Sequence, residues 1–223
     1  DGWKFIDPKN LDKISEKNLR GKNVILTFDD GFYSNILLER NILKKFKIKA
    51  AYFIPTDFIL MKKKSQCIKF IKTKLKLKNY SNLSLKRINM NVRDIIELDN
   101  KKHSIGNHTK SHIDFSKTTL LKNMKNEITE IRNKKLKKII KKSSFFSYPF
   151  GRIQDISSKS LKIVLNNYKF IFLGIRGNNN NFSLKNKIIF RENISIHHNK
   201  MMYLSILNGY FDFLYFPKRK KIF

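Results

Sequence analysis

The chain has 223 residues, enough for one domain with a sizeable core, and its 41% hydrophobic and 13% aromatic content excludes an intrinsically disordered chain. No apolar run is long enough to cross a bilayer as a helix, and the single cysteine, Cys67, excludes an internal disulfide. The formal net charge of +31 raises the question of a nucleic-acid partner, but Lys, Asn and Ile are abundant throughout, as AT-rich coding produces, and no nucleic-acid motif is present, so the charge is read as compositional.

In chain order, residues 23–28 read as a fully buried strand that stops on Asp29, Asp30 and Gly31. Ile36, Leu37, Leu43 and Phe46 fit an amphipathic helix over 33–46. "KAAYFIP", 49–55, is a second strand ending at Pro55, and the Lys-rich stretch 58–90 reads as a partly helical insertion over one face. A short helix over 92–100 leads to a third strand near 103–105, with "GNHTKSH" at its end. Leu120, Leu121, Met124, Ile128 and Ile131 predict one long helix over 117–138. "SSFFSYPFG" is a fourth strand and turn, 154–166 a helix, "YKFIFLGIRG" a fifth strand, and "KIIFRENISIHH" one or two more. "GNNNN", 177–181, is a polar loop, and 200–215 is read as helical. Strands alternating with helices imply an α/β fold with a mostly parallel sheet.

Three polar clusters fall at strand ends: Asp29-Asp30, His108 to His112, and Tyr148 to Gly151. In a barrel of βα units the C-terminal strand ends share one face, so clusters distant in the chain meet there. On a helical turn, His108 and His112 would project from one face and bind one metal. Two histidines and one carboxylate, here Asp30, are a common catalytic zinc set with a position open for water. Successive side chains at a strand end point different ways, so Asp29 is free to act as a general base. An Asp-Asp-Gly turn with no chemistry is the structural alternative for this stretch. His103 is read as structural.

"LTFDDG", "GNHTKSH" and "FSYPFG", in this order, resemble the polysaccharide deacetylases of the NodB-homology type, carbohydrate esterase family 4. The resemblance runs from about Val24 through "FRENISIH" at 190–197. It implies a single-domain, distorted (β/α)7-type barrel with a divalent metal, usually zinc. Residues 1–22 then form a lead-in, 23–215 the catalytic domain and 216–223 a basic C-terminal tail. By motif matching, Asp29 is the base, and Asp30, His108 and His112 are the metal ligands. Tyr148, Pro149, Phe150 and Gly151 line the substrate and oxyanion side, with a backbone N–H near Phe150 holding the oxyanion. The implied reaction is hydrolysis of an N-acetyl or O-acetyl group on a sugar.

Two positions depart from the family pattern. An arginine that often orients the catalytic Asp is replaced by Ser147, and Arg191 is the expected substitute from a later strand, holding the carboxylate bidentately. The family's late-strand histidine, the general acid, corresponds to His197 or His198 at adjacent, oppositely directed positions. His197 is favoured because it follows the aliphatic stretch Ile194 to Ile196. The expected partner is an N-acetylated glycan or a lipid-linked sugar, with peripheral membrane contact left open and nucleic acid disfavoured. A catalytically silent glycan-binding relative and an amide hydrolase acting on a formamido sugar are the alternative readings. The chain begins at Asp1 without a Met, so its location is left between the cytoplasm and the envelope of an AT-rich bacterium, and oligomeric state is left open.

Overall fold

The computed structural model describes residues 2–13, 21–78, 87–179, 187–195, 197–220 and 222. Parts of the expected lead-in (1 and 14–20), insertion (79–86), polar loop (180 and 181), late strand region (196) and tail (221 and 223) lie outside the described residues. Eight strands are named in chain order among those described. The first two, β1 (Lys4–Phe5) and β2 (Asn23–Val24), form a short parallel pair. The other six, β3 (Leu26–Phe28), β4 (Ala50–Ile54), β5 (Ser104–Asn107), β6 (Phe145–Ser147), β7 (Phe170–Leu173) and β8 (Ile188–Phe190), form one curled, all-parallel sheet in sequential order. This is the α/β architecture of the distorted (β/α)7 barrel that the motifs imply. No hydrogen-bonded ladder joins β8 to β3 among the described residues, so the barrel has an open seam there.

Helices fill the connections: α1 (Tyr33–Leu38), α2 (Thr56–Leu60), α3 (Lys64–Phe70), α4 (Val92–Asn100), α5 (Leu121–Thr129), α6 (Lys134–Ser143) and α7 (Ser158–Asn167). Helical segments Lys200–Leu207 and Phe216–Lys220 follow β8.

Alternation along the strands sorts side chains into two cores, because successive residues face opposite sides of the sheet. Ile25, Ala51, Phe53, Phe145, Phe172 and Ile189 form the interior of the curl. Tyr52, Ile54, Ile105, Phe146, Tyr148, Ile171 and Phe190 pack outward under the helices. Gly106 is required by this interior: a Cβ there would lie 2.4 Å from the Phe53 ring carbons. Leu11 also enters the inner core, so the segment Pro8–Lys13 of the lead-in is integral to the fold.

Several expected elements are shorter than their patterns. The strand over 23–28 is split between the two sheets. The helix over 33–46 ends at Leu38 and continues as a wider turn, Glu39–Leu43, which leaves Phe46 71% exposed. The helix expected over 117–138 is two helices. The Asn133 side chain accepts from the N–H groups of Lys135 and Leu136, and this cap starts α6 afresh after Glu130 turns extended. The insertion is partly helical, as expected, and builds a small core from Phe58, Cys67, Phe70, Ile71, Leu75 and Ile88. Among the described residues no helix is long and apolar enough to cross a membrane.

Candidate active site

The clusters at 29–30, 108–112 and 147–151 and residue Arg191 all follow or end strands at the C-terminal edge of the curled sheet. Thr27 and Asp29 continue the inward file begun by Ile25, two residues apart on one face. Asp30 then adopts φ +70° and Gly31 φ +73°, so the chain turns sharply out of the strand. A side chain at Gly31 would put a Cβ 2.8 Å from Ile59 Cδ1, so glycine is needed both for the backbone and for the space.

His108 directly follows β5, and His112 lies beyond it in a loop that is not helical. The H-x-x-x-H spacing therefore works differently from the helical turn expected. Thr109 (φ +64°) and His112 (φ +53°) are left-handed, and these two kinks fold the loop so that the imidazole centroids lie 4.9 Å apart. The loop is pinned from two sides. The first N–H groups of α2, from Thr56 and Asp57, donate to the carbonyls of Thr109 and Lys110, and the Glu127 carboxylate accepts from the N–H and hydroxyl of Ser111. Non-glycine residues with positive φ are costly, and their concentration at Asp30, Thr109, His112 and Phe150 marks a site whose geometry is imposed by its surroundings.

Each histidine is oriented by a backbone carbonyl, of Ser147 for His108 Nδ1 at 2.8 Å and of Lys74 for His112 Nδ1 at 3.2 Å. A carbonyl only accepts, so each Nδ1 carries the hydrogen and each Nε2 presents a lone pair. Both Nε2 atoms face Asp30 Oδ1, at 3.6 Å and 3.4 Å. Ligand atoms of Asp30, His108 and His112 all lie within 4.8 Å of one another. The donor set, its convergence and the carbonyl-fixed tautomers fit a divalent ion with a coordination position left for water.

Asp29 sits on the other side of this cluster, its Oδ2 3.8 Å from His108 Nε2. Arg191, just after β8, reaches across the open seam and meets it with a two-pronged contact: Nη1 to Oδ1 at 2.7 Å and Nη2 to Oδ2 at 2.8 Å. Burial opposes ionisation of Asp29, and the Arg191 guanidinium outweighs it, so the carboxyl stays ionised. Thr27 and Ser147 also hydrogen-bond Arg191, and neither is read from the sequence as a participant. The signal for Thr27 was its position two residues before Asp29 on the same strand face.

The 148–151 segment divides. Tyr148 is 1% exposed, its hydroxyl bonds to Ser160 Oγ, and burial raises its phenol, so its side chain belongs to the outer core and not to the substrate wall expected of it. Phe150 packs edge-on against His112 with centroids 4.8 Å apart, and its N–H makes no hydrogen bond among the described residues. Pro149 and Gly151 form the turn, and a Cβ on Gly151 would meet the Gly174 nitrogen at 2.3 Å. Lys76 and Arg152 each stack on the Phe150 ring. A cavity of about 280 Å³ opens on the insertion, lined by residues that include Met61, Phe70 and Lys74, so the residue that orients His112 also borders this cavity.

The histidines at 197 and 198 do not occupy adjacent strand positions, because β8 ends at Phe190. They sit in a turn in which the His198 N–H donates to the Ser195 carbonyl. His197 is exposed, whereas His198 is half-buried, its Nδ1 accepting from the Ser195 N–H and its ring against Tyr203. Neither is in hydrogen-bond contact with Asp29, Asp30, His108 or His112. His103 accepts the Ala50 N–H at its Nδ1 and faces Glu39 at the far end of the strands, a packed role within the sheet.

Comparison with known proteins adds a profile and a set of folds. The sequence profile described as polysaccharide deacetylase matches residues 16–165. A search of curated proteins finds no significant match. Among solved structures, the Streptococcus pyogenes deacetylase PplD in complex with acetate is similar with a TM-score of 0.68 and 20% identity, over 92% of this chain and 80% of that one. A polysaccharide deacetylase from Bacillus cereus is similar with a TM-score of 0.63 and 19% identity, over 92% of this chain and 56% of that one. A de-N-acetylase from Aggregatibacter actinomycetemcomitans is similar with a TM-score of 0.64 and 14% identity, over 92% of this chain and 83% of that one. At these identities the likeness is one of fold.

Proposed function

The chain belongs to the polysaccharide deacetylase family, matched over residues 16–165, and from that premise we propose that it is a metal-dependent hydrolase removing acetyl groups from a sugar by general-base attack of water. The observation that carries the reading is the adjacency of two differently held carboxylates, Asp30 facing two histidine Nε2 atoms and Asp29 gripped by a guanidinium. Asp30, His108 and His112 are the proposed ligands. Zinc is the proposed ion, since two imidazoles and one carboxylate are a set it favours. When bound, the ion supplies Lewis-acid polarisation of the acyl carbonyl and of the attacking water.

The protein's own residues then divide the work. Asp29, ionised and oriented by Arg191, accepts a proton from the attacking water. The N–H of Phe150, which makes no hydrogen bond among the described residues, is the proposed donor to the oxyanion that develops on the acyl oxygen. The Ser147 and Lys74 carbonyls keep the two imidazoles in the tautomer that leaves Nε2 free. The proposed substrate is an acetylated glycan or lipid-linked sugar.

The test is metal analysis together with acetate release from a panel of N-acetylated and O-acetylated glycans, with Asp29→Asn alongside. The expected result is one bound divalent ion in both proteins and acetate release by the wild type alone. A metal-loaded wild type that releases no acyl group across the panel would overturn the reading.

A further inference from the structure

The Arg191 side chain is largely enclosed, 15% exposed, and none of its hydrogen-bond partners is a proposed metal ligand. Nε donates to the Leu173 carbonyl at 3.3 Å, Nη1 to Thr27 Oγ1 at 3.3 Å and to Asp29, and Nη2 to Ser147 Oγ at 2.8 Å and to Asp29. A guanidinium has five N–H donors, and these contacts use them all. The Phe53 ring lies beneath, 5.4 Å from Cζ. The Ser147 hydroxyl accepts from Arg191 and donates onward to Asp29 Oδ2 at 3.3 Å.

The arrangement is a polar layer laid on an apolar one. Ile25, Phe145 and Ile189 fill the inner core, and two residues further along the same inward files stand Thr27, Ser147 and Arg191. Ser147 is fully buried, where a hydroxyl without partners would be destabilising. Its two ends serve different neighbours: the carbonyl orients His108, and among the described residues the hydroxyl bonds to Arg191 and Asp29 alone. The side chain can therefore be changed while the contact with the histidine remains.

We propose that the Ser147 and Thr27 hydroxyls are positioning residues for the base, fixing the plane and depth of the Arg191 guanidinium so that its fork meets Asp29 squarely. The proposal rests on Asp29 being the base. Arginine has a long side chain with many rotamers, and a carboxylate can be met side-on or end-on. Two hydroxyl acceptors and the Leu173 carbonyl select one pose. Without them the pair persists but shifts, and a misplacement of about 1 Å costs about 10²-fold in rate.

The experiment uses the full, metal-loaded chain with Ser147→Ala, Thr27→Val, Thr27→Ser and the Ser147→Ala/Thr27→Val double variant. Valine keeps the volume of threonine and loses the hydroxyl, whereas serine keeps the hydroxyl and loses a methyl. The expected result is a roughly tenfold fall in kcat for Ser147→Ala and Thr27→Val, and about 10²-fold for the double, with KM and bound metal unchanged. Thr27→Ser retains most of the turnover. Retained turnover in Thr27→Val with loss in Thr27→Ser would mean a packing role and overturn the proposal, as would a double variant with wild-type kcat. A second measurement stands apart from activity: melting of Ser147→Ala, Arg191→Ala and their combination. Strongly non-additive shifts support the cradle, and additive shifts overturn it. A wild type that binds metal but releases no acetate overturns the functional reading and leaves the melting test of the cradle in force.

Discussion

Replacing Arg191 by alanine separates the proposed base from the proposed metal ligands more cleanly than any other single change. The substitution removes two charge-assisted hydrogen bonds, at 2.7 Å and 2.8 Å, and leaves Asp29 beside a second carboxylate with no cation in contact. Breaking one side of a buried ion pair costs about 3–5 kcal/mol, but the Asp29 side chain is 29% exposed and water screens part of that, so ~2–3 kcal/mol is the expected loss. If the same energy is lost from the transition state, kcat falls roughly 30- to 150-fold. Melting should drop by about 4–12 °C for a chain of this size. None of the Arg191 hydrogen bonds goes to Asp30, His108 or His112, so bound metal should be unchanged. The assay is acetate release under saturating substrate, with metal content measured on the same preparation. Arg191→Lys should recover little, because an ammonium cannot reproduce the fork. Unchanged turnover, or a loss of turnover matched by a loss of metal, would refute the reasoning.

Further outcomes are expected elsewhere. His112→Ala should lose bound metal and turnover together while keeping its far-UV circular dichroism, since the imidazole makes a single backbone contact outside its loop, to the Lys74 carbonyl; retained metal would remove His112 from the ligand set. Gly106→Ala places a Cβ 2.4 Å from the Phe53 ring, and the overpacking should cost ~1–3 kcal/mol, read as a lower melting temperature; an unchanged melt would mean the inner core yields more easily than its packing implies. The hydrogen bond from Arg40, with Lys101 assisting, holds Glu97 down to about 2, against about 4.3 unfolded. Because the folded value is depressed, that stabilisation is complete above the unfolded value and fades as pH falls through the folded one. Wild type should therefore outlast Glu97→Gln in thermal melts at neutral pH, and the gap should narrow on acidification toward pH 3; a gap constant with pH would contradict the pairing.

The residues proposed to carry the chemistry were legible because each is written next to its strand end. "FDDG" needs a strand to stop and glycine to turn the chain, and that requirement is local. The alternation of strands and helices fixed the class of fold for the same reason, since period and turn residues act over a few positions. Length along the chain was less legible. The helix over 117–138 broke at Asn133 because a side-chain cap competes with a continuing apolar stripe, and period alone does not reveal that competition. The H-x-x-x-H spacing matched a helical turn equally well, yet the backbone at Thr109 and His112 is left-handed, imposed by α2 and Glu127 from elsewhere in the fold.

What only the tertiary structure decided was which side chains share a space. Tyr148 and Phe150 are two residues apart in one motif, and packing sends the first into the outer core and leaves the second beside His112. Ser147 and Arg191 are 44 residues apart, and nothing local in the sequence says that their side chains meet. They do so because β6 and β8 present them inward at the same level of a curled sheet, and because Arg191 is long enough to cross the seam that the sheet leaves open. The sequence by itself offered the two acids, the two histidines and Arg191 as the partner of Asp29; the curl of the sheet determined that the Thr27 and Ser147 hydroxyls surround that arginine.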